Sequence, residues 1–318
     1  MQPAHPFAGN AFNRLAERRD DVQWLNALFE SATARILPVW NGRVLVSSRD
    51  NLPRMISIAP TLITTINNNE LILLGEFRGE ILFASALSSD SEPLLQDDAA
   101  FHDLRSISGL LDREELALLG YARALAHWRN THRYCGRCGS LNHLVKAGHV
   151  MECSNAMCKQ QTFPRLDPAV IVLITDGERV LLGRQARFPP QRYSTIAGFV
   201  EWAESIEEAV AREVREETGV TVDEVQYHSS QPWPFPSSLM LGFIAHAATT
   251  DITLADKELE DARWFTRADL ASGIVHLPPT QSISFALIED WYNLQATRPL
   301  REEPRAAIDT AAQLFRPT

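Results

Sequence analysis

Hydrophobic positions along this chain change period several times, and each change marks an element. Between Arg35 and Leu87 they come in short β-type runs: Arg43–Ser47 and residues 61–66, 70–74 and 80–83. Asn41-Gly42, Asn67 to Asn69 and Arg78-Gly79 separate these runs, and such residues favour turns. Residues 88–98 are polar and acidic and read as a loop. Over residues 112–128, apolar Leu116, Leu119, Ala122, Leu125 and Ala126 recur at helical spacing. Two prolines in residues 163–168 predict a stiff linker. The unbroken apolar run 169–174 reads as a buried strand, Asp176-Gly177 as its turn and residues 179–182 as the returning strand. Residues 205–218 form a predicted helix, opened by a Ser205/Glu208 capping box and stopped by Gly219. Further strands at 239–245 and 262–265 lead to a helix at 284–294. One β-rich half before another leaves room for a divergent repeat, although none is visible in the residues.

Composition narrows the function class. The 318 residues carry 30 Lys+Arg and 40 Asp+Glu, a net charge of −10. That balance argues against a broad basic coat for nucleic acid, without excluding a local patch. The length suggests two or three domains. Residues 1–13 lack the basic and apolar regions of a secretory leader, the run 169–174 is too short to span a bilayer, and the end at Thr318 has no peroxisomal signal. A cytoplasmic protein with no membrane partner is expected.

The four cysteines all lie in one segment, Cys135-x2-Cys138 followed by Cys153-x4-Cys158. Two Cys pairs flanking a short strand-forming stretch can place four thiolates around one structural zinc, with Gly136 and Gly139 permitting a tight knuckle. Reduced thiols or a redox switch are the alternatives. Arg133, Arg137, Lys146, Lys159 and Arg165 surround the cluster and suit either a phosphate backbone or a solvated surface.

The most informative segment is residues 198–220. On a helix, Glu213, Glu216 and Glu217 stand at i, i+3 and i+4, so their carboxylates share a face and repel unless cations offset them. Mg²⁺ or Mn²⁺ suits such oxygen donors. Gly198, Glu204, Arg212, Glu213, Val214, Glu216, Glu217, Gly219 and Val220 together satisfy G-x5-E-x7-R-E-U-x-E-E-x-G-U, where U is aliphatic. This is the signature of the Nudix hydrolases, which the chain therefore resembles. The resemblance implies an α/β/α sandwich (α/β, or α+β, class) and hydrolysis of a nucleoside diphosphate linked to another group. It also implies metal ligation by Glu213, Glu216, Glu217 and the backbone carbonyl of Ala197, with Glu213 a candidate base and Arg212 pairing structurally with Glu204.

Downstream lies Ser230-Gln231-Pro232-Trp233-Pro234-Phe235-Pro236-Ser237-Ser238. Its prolines predict a preorganised loop presenting Trp233 and Phe235, either to a flat heterocycle or as a hydrophobic turn. The segment resembles the hallmark of the NADH pyrophosphatase subfamily. That resemblance implies a β-rich Nudix-like domain (residues 1–130), a zinc ribbon (131–165) and a Nudix domain (166–318). It implies cleavage of NADH, and less readily NAD⁺, to nicotinamide mononucleotide and AMP, removal of NAD caps from RNA 5′ ends, and a homodimer. By position, Gln231, Pro232, Trp233, Pro234, Phe235, Pro236, Ser237 and Ser238 would line the dinucleotide pocket. Glu258 would add a metal ligand, while Phe163, Arg105 and Ser284 would contact substrate. The rival readings are a Nudix hydrolase of ADP-ribose or another nucleotide derivative, and a zinc-ribbon nucleic-acid-binding regulator that uses the Nudix fold as a sensor.

Overall fold

A computed structural model describes residues 5–9, 12–47, 52–62, 70–93, 98–255 and 258–308. The chain divides into two compact units. One comprises Pro6–Leu166 with Trp233–Ser237; the other comprises Met1–His5, Asp167–Pro232 and Ser238–Thr318.

In the first unit, α1 (Val22–Phe29) precedes β1 (Ala34–Trp40), β2 (Arg43–Ser47), β3 (Arg54–Met55), β4 (Ile72–Phe77), β5 (Glu80–Leu87) and β6 (Ala99–His102). The short helix α2 (Leu104–Ile107) and the long α3 (Arg113–Thr131) follow, and α3 opens where the Asp112 carboxylate accepts from the N–H groups of Glu114 and Glu115. The sheet order is β3-β2-β1-β5-β4, with β6 also on β2 and β1 running parallel to β5. Positive φ at Asn41, Gly42, Arg78 and Gly79 closes the two hairpins at the turns read from the sequence. The unit ends in a small sheet of β7 (Asn142–Val145), β8 (Val150–Cys153) and β9 (Gln161–Thr162).

The second unit contains β10 (Asp167–Thr175), β11 (Arg179–Arg184), β12 (Ile196–Phe199), α4 (Ile206–Thr218), β13 (Val222–Trp233), β14 (Ser238–Ala247), β15 (Asp261–Thr266), α5 (Arg267–Ser272), β16 (His276–Leu277), α6 (Ile283–Asn293) and β17 (Ala307–Ile308). Its main sheet runs β13-β14-β10-β11-β15, with β12 on β10 and β10 parallel to β14. The apolar run of β10 is continuous because both its faces are covered. Val170, Val172 and Ile174 pack with Ala209, Val210 and Val214 of α4, whereas Ile171 and Leu173 pack with Phe285, Leu287 and Ile288 of α6. Helices on both faces make this unit the expected α/β/α sandwich.

The divergent repeat exists. In each unit a strand (β1 or β10) pairs antiparallel with its successor (β2 or β11) and parallel with a later strand (β5 or β14). In each, a later strand (β6 or β15) also pairs with that successor and is followed by a short and then a longer helix. The bridge Ile36↔Ile58 stands where β12 pairs with β10. Between Ile58 and β4 lie 13 residues, 59–71, against 22 residues, 200–221, between β12 and β13. The shorter connection has no room for a counterpart of α4 with its entry loop. Its described residues contain only a 3-10 turn at Pro60–Leu62.

That turn corrects the strand expected at 61–66, of which residues 63–66 lie outside the described residues. Asp167 and Pro168 belong to β10 rather than to a linker. The supposed loop at 230–240 is mostly strand, since β13 runs to Trp233 and β14 starts at Ser238. Pro232 fits there because β13 is an edge strand, where a missing N–H need leave no ladder bond broken.

Candidate active site and metal centre

The four cysteines sit around the β7–β8 hairpin. Cys135 accepts from the Gly139 N–H and donates its own N–H to Ser140, forming the first knuckle. Cys158 donates its N–H to Asn155 in the second. The residue after each second cysteine, Gly139 or Lys159, takes positive φ (74° and 49°), so left-handed backbone is needed there and not at Gly136. The sulfurs of Cys135 and Cys158 are 3.8 Å apart, those of Cys138 and Cys153 3.4 Å, and all four ligand atoms lie within 4.8 Å of one another. Tetrahedral metal–thiolate bonds of about 2.3 Å put sulfurs about 3.8 Å apart. The four cysteines are therefore placed to bind one metal ion. Hydrogen bonds from Ser140 lower the Cys138 thiol to about 6, whereas burial pushes fully buried Cys153 up to about 12.

The second centre begins at Gly198 in β12. A Cβ built there would overlap the Glu213 carboxyl group, so only glycine lets that side chain lie against the strand. Glu213 and Glu217, one helical turn apart on α4, are 8% and 4% exposed, while Glu216 faces solvent. Burial raises the pKa of Glu213 despite the neighbouring Arg212, and the charges of Glu216 and Glu258 add to the rise. Arg212 engages all five of its N–H donors. Nε and Nη2 form a fork on Glu204 at 2.9 and 2.7 Å, Nη1 reaches Glu213 at 2.8 Å and Glu216 at 3.0 Å, and Nη2 also donates to the Phe199 carbonyl at 2.9 Å. Hydrogen bonds from Arg212 and the Glu201 N–H hold Glu204 down to about 2. The expected Arg212–Glu204 pair is present, and it ties the entry loop to the helix.

Exposed Glu258 acts electrostatically on Glu213, whereas its neighbours are engaged elsewhere: Glu260 with Arg184 at 2.6 Å and Asp261 with Arg263 at 2.7 Å. Ala197 is exposed on β12, paired opposite Ile171. Among the described residues, only the cysteines bring three or more metal-ligating side chains within ligand distance. Arg212 instead gathers Glu204, Glu213 and Glu216. Their all-oxygen donor set, with a buried carboxylate whose ionised form is disfavoured, fits a hard divalent cation.

The proline-aromatic segment divides in two. Gln231 is fully buried, its amide donating to the Gln281 carbonyl and accepting from the Ile283 N–H at the start of α6. Ser284 is 3% exposed, its hydroxyl bonded to the Ser194 and Thr195 side chains and the Thr195 N–H. Both, read from the sequence as substrate contacts, tie internal segments together in the structure. Ser238 and Pro234 are buried, Pro232 and Ser237 half-buried, and Pro236 exposed.

Trp233 and Phe235 are half-buried and meet edge to face at 5.1 Å, each also against Phe7. The guanidinium of Arg105 lies 5.3 Å from the Trp233 ring and 5.9 Å from Phe235, so this expected site residue does join the aromatics. Arg123 was not expected: it stacks 4.8 Å from Phe235 and donates to the Pro234 and Gly42 carbonyls. Its only sequence signal is a cation among the apolar positions of α3. Phe163 stands 62% exposed beyond β9.

Residues 165–289 match the model of the NUDIX domain, and residues 33–128 that of the NADH pyrophosphatase-like rudimentary NUDIX domain. The chain is 44% identical over 226 residues to the NAD-capped RNA hydrolase NudC of Stutzerimonas stutzeri, covering 71% of this chain and 79% of that one. It is 35% identical over 316 residues to Nudix hydrolase 19, chloroplastic, of Arabidopsis thaliana, covering 85% and 72%. NudC of Pseudomonas aeruginosa strain LESB58 is 41% identical over 216 residues, covering 68% and 74%. Among the described residues no helix is long and apolar enough to cross a membrane.

Proposed function

We propose that this chain, which belongs to the Nudix hydrolase family and carries an NADH pyrophosphatase-like Nudix domain before its Nudix domain, cleaves the pyrophosphate of NADH and NAD⁺ to nicotinamide mononucleotide and AMP and removes NAD caps from RNA. The observation that carries this reading is the seating of the Glu213 carboxyl against Gly198, beside buried Glu217, in a chain 44% identical to an NAD-capped RNA hydrolase.

Glu213, Glu216, Glu217, Glu258 and the Ala197 carbonyl form the proposed ligand set. A bound Mg²⁺ or Mn²⁺ would offset charge on the pyrophosphate oxygens and lower the pKa of a water molecule. The protein's own part is positional. Arg212 uses its donors on Glu204, Glu213, Glu216 and Phe199, and so fixes the carboxylates and loop without a hydrogen free for substrate. Glu213, made more basic by burial, is the proposed proton acceptor. Trp233, Phe235 and Arg105 offer ring faces and a cation suited to a nucleotide.

The cysteine ion in this reading is zinc, one per chain, with four protein ligands and a structural role. Division into residues 1–130, 131–165 and 166–318, a homodimer and a cytoplasmic location complete the proposal, supported by the subfamily resemblance. Incubation with NADH, NAD⁺, ADP-ribose and NAD-capped RNA, followed by product separation, tests it. AMP from NADH supports the reading, and no cleavage of any dinucleotide overturns it.

A further inference from the structure

The loop between β12 and α4 exposes two large rings. Phe199 is 59% exposed and Trp202 is 102% exposed, its indole standing wholly outside the fold. A lone exposed apolar side chain is unremarkable, but the backbone that carries this one is tied down on both sides. The Val200 N–H donates to Pro168 at 3.1 Å and the Glu201 N–H to the Glu204 carboxylate at 2.6 Å. Arg212 grips both the Phe199 carbonyl and Glu204, and Ala203 takes a φ of 68° to complete the turn. Trp202 thus sits between anchored neighbours.

It is also close to the proposed chemistry. Gly198 abuts the Glu213 carboxyl, and the four residues from Gly198 to Trp202 can span at most about 14 Å even when fully extended. The network that positions the carboxylates also fixes the backbone that carries this ring, so a large flat surface stands open to a ligand beside them.

We propose that Trp202 is a stacking platform for a flat heterocycle of the bound nucleotide, and so a specificity-determining residue beside the carboxylate helix. The inference rests on the hydrolase reading above. The heterocycle is the adenine, the nicotinamide or the base that follows the adenosine in a capped RNA, and each presents a flat face.

The test compares full-length wild type, Trp202→Ala and Trp202→Phe with Mg²⁺ on NADH, ADP-ribose and NAD-capped RNA. Base–aromatic stacking of about 1–3 kcal/mol corresponds to about 5- to 150-fold. Trp202→Ala should lower kcat/KM at least about five-fold, mainly through KM, and Trp202→Phe should restore most of it. A loss on all three substrates assigns adenine, a loss on NADH and capped RNA but not ADP-ribose assigns nicotinamide, and a loss on capped RNA alone assigns the base that follows the adenosine. The fluorescence difference between wild type and Trp202→Phe should be quenched by AMP, nicotinamide mononucleotide or a short 5′-phosphorylated RNA, matching that assignment. Unchanged kinetics on all three substrates would overturn the proposal. So would a Trp202→Ala variant that turns a dimer into monomers, because the indole would then be covered by a second copy. If wild type cleaves none of the substrates, the hydrolase reading fails, and quenching still decides whether Trp202 stacks.

Discussion

Gly198→Ala separates positioning from folding. The added methyl would overlap the Cδ and both oxygens of Glu213, where ordinary carbon contacts are about 3.5–4.0 Å, so the carboxyl must retreat by at least about 1 Å. The obstructing group is the end of a side chain, which can swing, so the stability cost should fall at the low end of the ~1–3 kcal/mol for overpacking. For a cooperative unit of this size, about 1 kcal/mol lowers Tm by roughly 2–4 °C. Activity should suffer far more, since a misplacement of ~1 Å can cost about 100-fold. Thermal melting with far-UV circular dichroism, paired with kcat/KM on NADH, reads both quantities. A Tm within a few degrees of wild type with a ~100-fold loss in kcat/KM is expected. A variant within two-fold of wild-type activity would refute the claim that Glu213 must lie against this strand.

Three other outcomes follow from the same geometry. Glu217→Gln keeps the shape of a buried side chain but removes its charge, so metal-dependent turnover should fall at least ~100-fold with little change in Tm, checked by kinetics and melting. Metal analysis should find about one zinc per chain, and a strong chelator should release it with loss of the 131–165 fold, seen as new amide exchange in the ribbon; a metal-free, equally protected ribbon would return the cysteines to redox roles. The pKa of Glu204 is lowered to about 2 from its ordinary 4.5, so its contribution to stability is complete above about 4.5 and fades as pH falls toward 2. Urea midpoints measured from pH 5 to pH 3 should therefore drop more steeply for wild type than for Glu204→Gln.

The sequence revealed most where one residue type has one physical use. Ser205, Glu208 and Gly219 mark the ends of α4, and the structure shows both arms of the capping box and a left-handed Gly219. The four cysteines likewise converge. Elements whose character depends on tertiary partners were harder to see. β1 and β13 carry no local signal of their own, and of the three prolines at 232, 234 and 236 only Pro232 lies in the edge strand β13 while the other two fall in the turn before β14. The internal partners of Gln231 and Ser284, the Ile283 N–H and Thr195, lie 52 and 89 positions away. Arg123 joins the aromatic cluster through a partner 111 residues distant, which no local pattern encodes. The repeat escaped notice because the two halves share strand order and pairing while the connection that carries α4 in one is too short for it in the other.

The central claim is that the carboxylates gathered by Arg212 serve pyrophosphate hydrolysis of a nicotinamide dinucleotide. Its most direct test is chromatographic separation of products after incubating the full-length protein with NADH and Mg²⁺ or Mn²⁺. Reduced nicotinamide mononucleotide and AMP in equal amounts, absent when the metal is chelated, are predicted. Intact NADH, or cleavage at the glycosidic bond to nicotinamide and an ADP-ribose fragment, would contradict the account.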